Sequence, residues 1–472
     1  MMLFIALNIL LVSAAGLIAA EAKYPKLLDS PVPFYHDNNL ALLYPAGKSV
    51  SVSRNGNQAR LTLDECIEIA LEDNQDYNIS RAMLRLSTGD IANAWGFSFT
   101  PLLSAAYGMS QSRINSPIKD ADGNLLDRRT SINSGTSSSI NFSYTVFDST
   151  AKYFSIKSAY YLRGARRSQL RSRELDVVNQ VRAAYFNVLR QEKLLFAARD
   201  QADQLKKQLR RAEVRFKVGE VTKLDVLQAQ IDLQNQELLV LEYENLLATA
   251  KLDLDLVVGG SLGVEFTLAD EFEITELNFD INELIAEAVE NHPDLESLEL
   301  TIKQLKCNLW IGRLAYLPII KTAMGLTRGE TGLVLTPNHN QGRSLSYTIS
   351  WNILDAFARF QTNRYNQVAV DTLKYSLTRA RLTTTRNIRA SYLELLRLHQ
   401  QHLTLDESKT MAAQSLQLET RRYELGTSSM VELRQAQADY SQAEVDYINS
   451  IYDYHAALSE LSRSVGWDLS LE

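Results

Sequence analysis

The chain is poor in residues that break structure and in residues that do chemistry. It has only 9 Pro and 20 Gly in 472 residues. So few breakers exclude an architecture of many short elements and point to long ones. It has only 2 Cys and 6 His. Cys66 and Cys307 share no close-spaced motif, and each sits at an apolar position of a helical pattern. They read as two buried small hydrophobes or as a disulfide formed after export. His36, His292, His339, His399, His402 and His455 show no metal-ligand spacing, so no metal and no other cofactor is expected. A phosphate loop is missing as well: in the stretch ending Ala46-Gly47-Lys48-Ser49, Leu42 stands where the first glycine belongs. Positive charge is not in excess. Lys plus Arg is 49 against 56 Asp plus Glu, a net −7, which excludes nucleic acid held by bulk charge. These absences argue against an enzyme.

Long apolar runs are absent too, with one exception. Residues 1–20 are apolar apart from Asn8 and Ser13, and Ala20-Glu21-Ala22 fits a small-residue cleavage site. Residues 1–22 are therefore expected to be a signal peptide. An uncleaved anchor is the alternative, since ~20 apolar residues span a bilayer. A Lys or Arg before the apolar core is missing. Every later helical segment carries frequent charges. Any membrane crossing by the exported chain must then use strands.

What is present is a duplication. RFKVGEVTKLDVLQAQIDL around Arg215 matches RYELGTSSMVELRQAQADY around Arg422, at an offset of about 207. The same offset aligns VRAAYFNVL from Val181 with IRASYLELL from Ile388, and Asp148 with Asp355. LDECIEIALEDNQD from Leu63 matches INELIAEAVENHPD from Ile281 at a slightly larger one. The expected layout is an arm (23–60), a first repeat (61–259), a junction (260–279), a second repeat (280–466) and a tail (467–472). Each repeat reads as a first helix (62–99, 281–316), a proline (Pro101, Pro318), two strands, a very long helix and a return helix. Asp148 and Asp355 are placed to cap the long helices. At 1.5 Å per residue, roughly 70 residues reach about 100 Å, so such a helix needs helical neighbours along its length. The outgoing helix from Lys152 to Lys217 is basic and the returning one acidic.

The strands are expected near 101–114, 138–147, 318–328 and 344–354. Ile140, Phe142, Tyr144 and Val146 alternate with Ser139, Asn141, Ser143 and Thr145. Leu345, Tyr347, Ile349 and Trp351 alternate with Ser346, Thr348 and Ser350. One apolar face and one small polar face suit a transmembrane barrel wall, or a soluble sandwich packed on a core. Helices too long for a sandwich favour the first. Four strands cannot close a barrel, because membrane barrels have at least about eight. An open edge in lipid leaves backbone groups unpaired. Several copies must therefore share one barrel. The stretches 114–137 and 329–343 are rich in Ser, Asn, Gly and Asp and read as exposed loops.

Taken together, the repeats, the strand pairs, the prolines at the joints and the motif R-[FY]-x-[VL]-G-x-x-[ST]-x-x-[DE]-[VL]-x-Q-A-Q resemble the TolC-type outer membrane efflux proteins over about 61–466. The resemblance implies a mainly α fold with a small β part. Tandem long α-hairpins form a periplasmic helical barrel, and four strands per chain enter a shared trimeric transmembrane β-barrel of twelve strands. It implies a passive exit duct in the outer membrane, for efflux or type I secretion. Its partners are two further copies, outer membrane lipid, a periplasmic adaptor and an inner-membrane transporter. Ile140, Phe142, Tyr144, Val146, Leu345, Tyr347, Ile349 and Trp351 then face lipid. The turns Val218-Gly219-Glu220 and Leu425-Gly426-Thr427 become the adaptor-contacting tips; glycine at a helix end is the structural reading of the same residues.

By the same resemblance Asp225, Tyr423, Ser428, Glu432 and Gln435 line the periplasmic entrance. Thr222-x-x-Asp225 and Ser429-x-x-Glu432 also read as capping boxes of the return helices. Six carboxylates from three chains would favour cations and raise some of their pKa values. The sequence departs from one family pattern at Ser428, where an arginine helps lock the entrance, and at Gln435, where a second acid stands. A structural periplasmic coiled-coil oligomer without a pore is the competing reading.

Overall fold

A computed structural model describes residues 60–119, 125–148, 151–263, 266–269, 272, 274, 280–331, 338–355 and 357–469. The signal segment, the arm up to residue 59 with its Gly47-Lys48 pair, His36, parts of the junction and residues 470–472 lie outside the described residues.

The two repeats match element by element. The first holds β1 (Arg60–Leu61), α1 (Leu63–Asp73), α2 (Gln75–Phe99), β2 (Leu102–Lys119), β3 (Leu125–Phe147), α3 (Ala151–Lys217) and α4 (Lys223–Val258). A short β4 (Thr267–Leu268) pairs in parallel with β1. The second holds α5 (Ile281–Asn291), α6 (Pro293–Leu314), β5 (Ile319–Thr331), β6 (Asn338–Ser350), α7 (Ala358–Glu424) and α8 (Met430–Val465). Both outgoing helices, α3 and α7, have 67 residues and both return helices, α4 and α8, have 36, so the duplication extends to element length. At 1.5 Å per residue the long helices span about 100 Å. No proline interrupts them.

Apolar burial concentrates at their middle. Val181, Tyr185 and Val188 of α3 pack with Cys66 and Ala70 of α1 and with Leu254 and Val258 of α4. The Tyr185 hydroxyl donates to Leu61 O at 3.1 Å. Ile388 and Leu395 of α7 pack likewise with Leu284 and Ala288 of α5 and with Leu461 and Val465 of α8. Each buried Val, Leu or Ile among them contributes about 1.5–3 kcal/mol. Away from this waist the helices keep apolar residues on their surface: Leu238, Leu382 and Leu418 are all more than 60% exposed. Among the described residues, nothing covers these helix positions.

Three expectations need correction. The first helices are not continuous. Asn74 is extended (φ −62°, ψ 126°), ends α1 and caps α2 by accepting from Tyr77 N at 3.1 Å. Its amide also donates to Val257 O at 2.8 Å, so the end of α4 meets the break. His292 makes the same break before Pro293, with Gly466, the residue just past α8, close to both. Second, Asp148 and Asp355 stand outside the N-cap positions. Asp355 still accepts from Arg359 N at 3.1 Å, but the capping residue of α7 is Phe357, at φ 64° with no side-chain bond. Third, the strands run farther than their apolar alternation. Most of 114–137 and 329–343 is paired strand, because a hairpin ladder continues through backbone groups whatever the side chains alternate. At its other end β6 stops at Ser350, one residue before Trp351.

Both cysteines are buried free thiols, so no disulfide joins them.

Candidate functional site

The sheet order is β2-β3-β5-β6, all antiparallel, with β2 and β6 at the edges. Directly paired residues share a face. The register Leu103↔Phe142↔Met324↔Leu345 therefore collects the apolar alternates of all four strands on one side. Ala105↔Ile140↔Leu326 and Tyr144↔Thr322↔Tyr347 continue that side. The other side carries Ser104↔Asn141↔Gly325↔Ser344 and Ala106↔Ser139↔Thr327↔Gly342. Leu345, Tyr347, Ile349 and Trp351 are all more than half exposed. Among the described residues, no element covers the apolar side of β6. Val146 is exposed as well, but the pairing shifts beside it, so the register leaves it unmatched.

Sheet and helices meet at tight joints. Pro101 ends α2's approach to β2, and Pro318 directly precedes β5. The Arg359 guanidinium lies 4.8 Å over the Tyr316 ring, donates to Ala315 O at 3.0 Å, and also bonds Asp355 and Asn352 O. Trp351 Nε1 donates to Tyr316 O at 3.0 Å. Lys152 lies 4.7 Å over the Tyr144 ring.

The opposite ends of α3 and α7 carry the turns. Gly219 has φ 81° and Gly426 φ 74°. Gly219 N bonds Phe216 O and Glu220 N bonds Arg215 O; Gly426 N bonds Tyr423 O and Thr427 N bonds Arg422 O. These paired bonds form the Schellman arrangement, which satisfies the last carbonyls of each helix. A Cβ on either glycine would meet nothing within 4 Å, so backbone conformation and not space demands glycine. Val218 is 66% exposed and Leu425 78%.

The return helices open on complete capping boxes. Thr222 N donates to Asp225 Oδ2 at 2.8 Å and Asp225 N to Thr222 Oγ at 3.3 Å. Ser429 N donates to Glu432 Oε2 at 2.8 Å and Glu432 N to Ser429 Oγ at 3.3 Å. Ser428 adds a bond to the same Glu432 oxygen at 2.7 Å and another to Glu419 at 2.8 Å. The Ser429 amide and then the Ser428 hydroxyl hold the Glu432 carboxyl below the usual carboxylate range. Gln435 turns away from Glu432 and donates to Asp439 at 2.8 Å; Gln228 and Asp232 repeat the pair at 3.3 Å.

Similarity to known proteins completes the picture. The model of the outer membrane efflux protein family matches residues 67–260 and again 284–467. The chain belongs to that family. Among solved structures, the Campylobacter jejuni CmeC outer membrane channel is similar at TM-score 0.73 and 16% identity, covering 93% of this chain and 93% of that one. CusC gives 0.71 at 15% identity, with 87% and 93% covered. The open state of the Neisseria gonorrhoeae MtrE channel gives 0.69 at 16%, with 86% and 89% covered. At these identities the likeness is one of fold. No curated protein matches by sequence. As a member of the efflux family the chain is an outer-membrane channel with a periplasmic helical extension, a conduit and not an enzyme.

Sequence reasoning missed the links between this efflux chain's two hairpins. Arg434 Nε pairs with Asp232 Oδ2 at 2.9 Å, Arg211 with Glu424 at 3.1 Å, and Gln437 donates to Gln208 at 2.8 Å. The Arg215 guanidinium lies 5.7 Å over the Tyr423 ring. A signal was present: Arg434 is the motif position where the first repeat has Leu227, a cation against an apolar residue inside an otherwise matched stretch.

Proposed function

We propose that three copies of this chain form one continuous duct, with β6 of each copy pairing β2 of the next to close a twelve-stranded barrel. The observation that carries this reading is an open four-stranded sheet with one apolar face and, among the described residues, two unpaired edges. Ile140, Phe142, Tyr144, Val146, Leu345, Tyr347, Ile349 and Trp351 face lipid. The Ser, Gly, Asn and Thr side faces the water-filled lumen. The exposed apolar faces of the long helices pack against neighbouring copies and form the periplasmic tunnel.

The tips are the far end of that tunnel. Val218-Gly219-Glu220 and Leu425-Gly426-Thr427 contact a periplasmic adaptor, through which an inner-membrane transporter delivers substrate. Asp225 and Glu432 line the entrance, each using a carboxylate oxygen for its cap while its charge remains available to the pore. Two departures from the family pattern are compensated within the chain: Ser428 bonds Glu419 and Glu432 directly, and the Arg434–Asp232 pair ties the second hairpin to the first. That pair is the entrance latch.

The test is conductance. Detergent-extracted oligomers should open stable, cation-selective channels in planar bilayers and migrate differently on heating. A soluble elongated species with no conductance would leave only the coiled-coil scaffold. A photocrosslinker beside Gly219 or Gly426 should capture the adaptor, whereas one at the waist should not.

A further inference from the structure

The small polar side of the sheet is almost free of charge. Alternate positions of Leu102–Ser112 in β2, Gly135–Thr145 in β3, Ile319–Gly329 in β5 and Asn340–Ser350 in β6 share that side. They hold Ser, Thr, Asn, Gly, Ala, Leu102 and Ile319, and a single ionisable residue, Lys321. Lys321 is exposed, with Thr145 and Thr348 directly opposite it on the neighbouring strands. Ser346 and Ser350 stand on the same side, one alternate position before and after Thr348. No acid shares that side over these spans.

The position of the cation is as telling as its isolation. Lys321 is the third residue after Pro318, at the end of the sheet where strands give way to helices. The two repeats differ here. Pro101-Leu102-Leu103-Ser104 matches Pro318-Ile319-Ile320-Lys321, so the first repeat has Ser104 where the second has the lysine. Each chain therefore supplies one such cation and not two.

We propose that Lys321 of three copies forms an anion-binding ring at the base of the barrel, which engages multivalent oxyanions passing through the duct. The inference rests on the duct reading, which turns the small polar side to the lumen and sets the copy number at three. Twelve strands about 4.8 Å apart and tilted roughly 40° enclose a wall of about 12 Å radius. A lysine spans about half of that radius, which leaves three ammoniums about 10 Å apart, close to the Debye length of about 10 Å at 0.1 M salt. Their fields therefore add at the axis. An ion with several charges meets more than one ammonium at once and gains more than a monovalent one. Rings of Lys or Arg favour anions and phosphates in pores for this reason. Threonine and serine hydroxyls beside each lysine can donate to the same oxygens. At the other end of the duct Asp225 and Glu432 carry the opposite sign, so the ring acts on cargo that has already passed an acidic entrance.

The experiment records current through the full-length oligomer in planar bilayers, with the barrel end facing the far chamber and inorganic pyrophosphate as the probe. Pyrophosphate in the far chamber should block the wild-type current. The block should deepen when voltage draws anions into the barrel and weaken at high salt. Lys321→Gln should raise the half-blocking concentration about tenfold or more, and Lys321→Arg should keep it near the wild-type value. Ser104→Lys, which adds a cation at the matching position of the first repeat, should lower it. Wild-type current indifferent to pyrophosphate, or equal block of wild type and Lys321→Gln, would overturn the proposal. Where Lys321→Gln fails to insert, Ser104→Lys carries the test, and an unchanged half-blocking concentration would overturn the proposal equally. A wild type that opens no channel at all would defeat the duct reading, whereas an open channel without block defeats the ring alone.

Discussion

At the first tip Gly219 and Glu220 close α3, and Thr222 with Asp225 opens α4; at the second, Gly426 and Thr427 close α7, and Ser429 with Glu432 opens α8. Both turns carry the same Schellman pair and both return helices the same capping box. The side chains around them are not. The first tip is loosely held, with Arg215 and Glu220 3.9 Å apart. The second is laced by Arg422, Glu419, Ser428 and Glu432, and Arg434 ties it to Asp232 of the first hairpin. Duplication preserved what the backbone requires at a helix reversal. Divergence acted on the side-chain links between and around the turns.

The comparison can be broken first at the waist. Tyr185 is fully buried, whereas its counterpart Tyr392 is only partly so. Tyr185→Ala should cost about 3–5 kcal/mol in thermal or denaturant unfolding, and Tyr392→Ala clearly less. Equal losses would mean that the two cores are energetically interchangeable.

Acid should separate the repeats next. The first repeat, 61–259, has no histidine, while the second has His292, His339, His399, His402 and His455. Burial beside Phe186 and Phe272, with His402 nearby, lowers the His455 pKa to about 4. A base with a depressed folded pKa binds fewer protons folded than unfolded between about pH 6.5 and 4. Its neutral form therefore favours the fold fully above about pH 6.5, and that stability, roughly 3 kcal/mol, is lost as pH falls toward 4. Hydrogen exchange at pH 5 should show the second hairpin opening before the first, and His455→Phe should flatten the difference. Synchronous opening would remove the asymmetry.

Smaller effects belong to the tips. Arg434→Ala should raise conductance in planar bilayers and cost about 1 kcal/mol, since the arginine is partly exposed and screened. Leu227→Ala, at the matching position, should leave conductance unchanged. Gly219→Ala and Gly426→Ala should each cost about 1 kcal/mol and about equally, because both glycines have positive φ and open space for a Cβ. Unequal losses would show that contacts outside one chain distinguish the turns. Thr222→Ala and Ser429→Ala should each cost about 1 kcal/mol by removing a cap.

Much of this was legible in the sequence for physical reasons. Tip glycines and capping boxes are local, so their residues announce them: Gly219, Thr222 and Asp225 lie within seven positions. Strand alternation marked the apolar band but not the strands' length, because backbone pairing past Met109 needs no side-chain pattern. Asn74 and His292 hid in helical patterns, since each break lies against the end of a return helix distant in sequence. The Arg434–Asp232 pair and the Arg359 clamp also join distant segments, and only the fold brings them together.

The central claim is that one chain supplies a third of a closed duct. The most direct measurement is the mass of the conducting particle released from detergent micelles. The account predicts three chains and no stable monomer. A conducting monomer, or a particle whose copy number is not three, would contradict it.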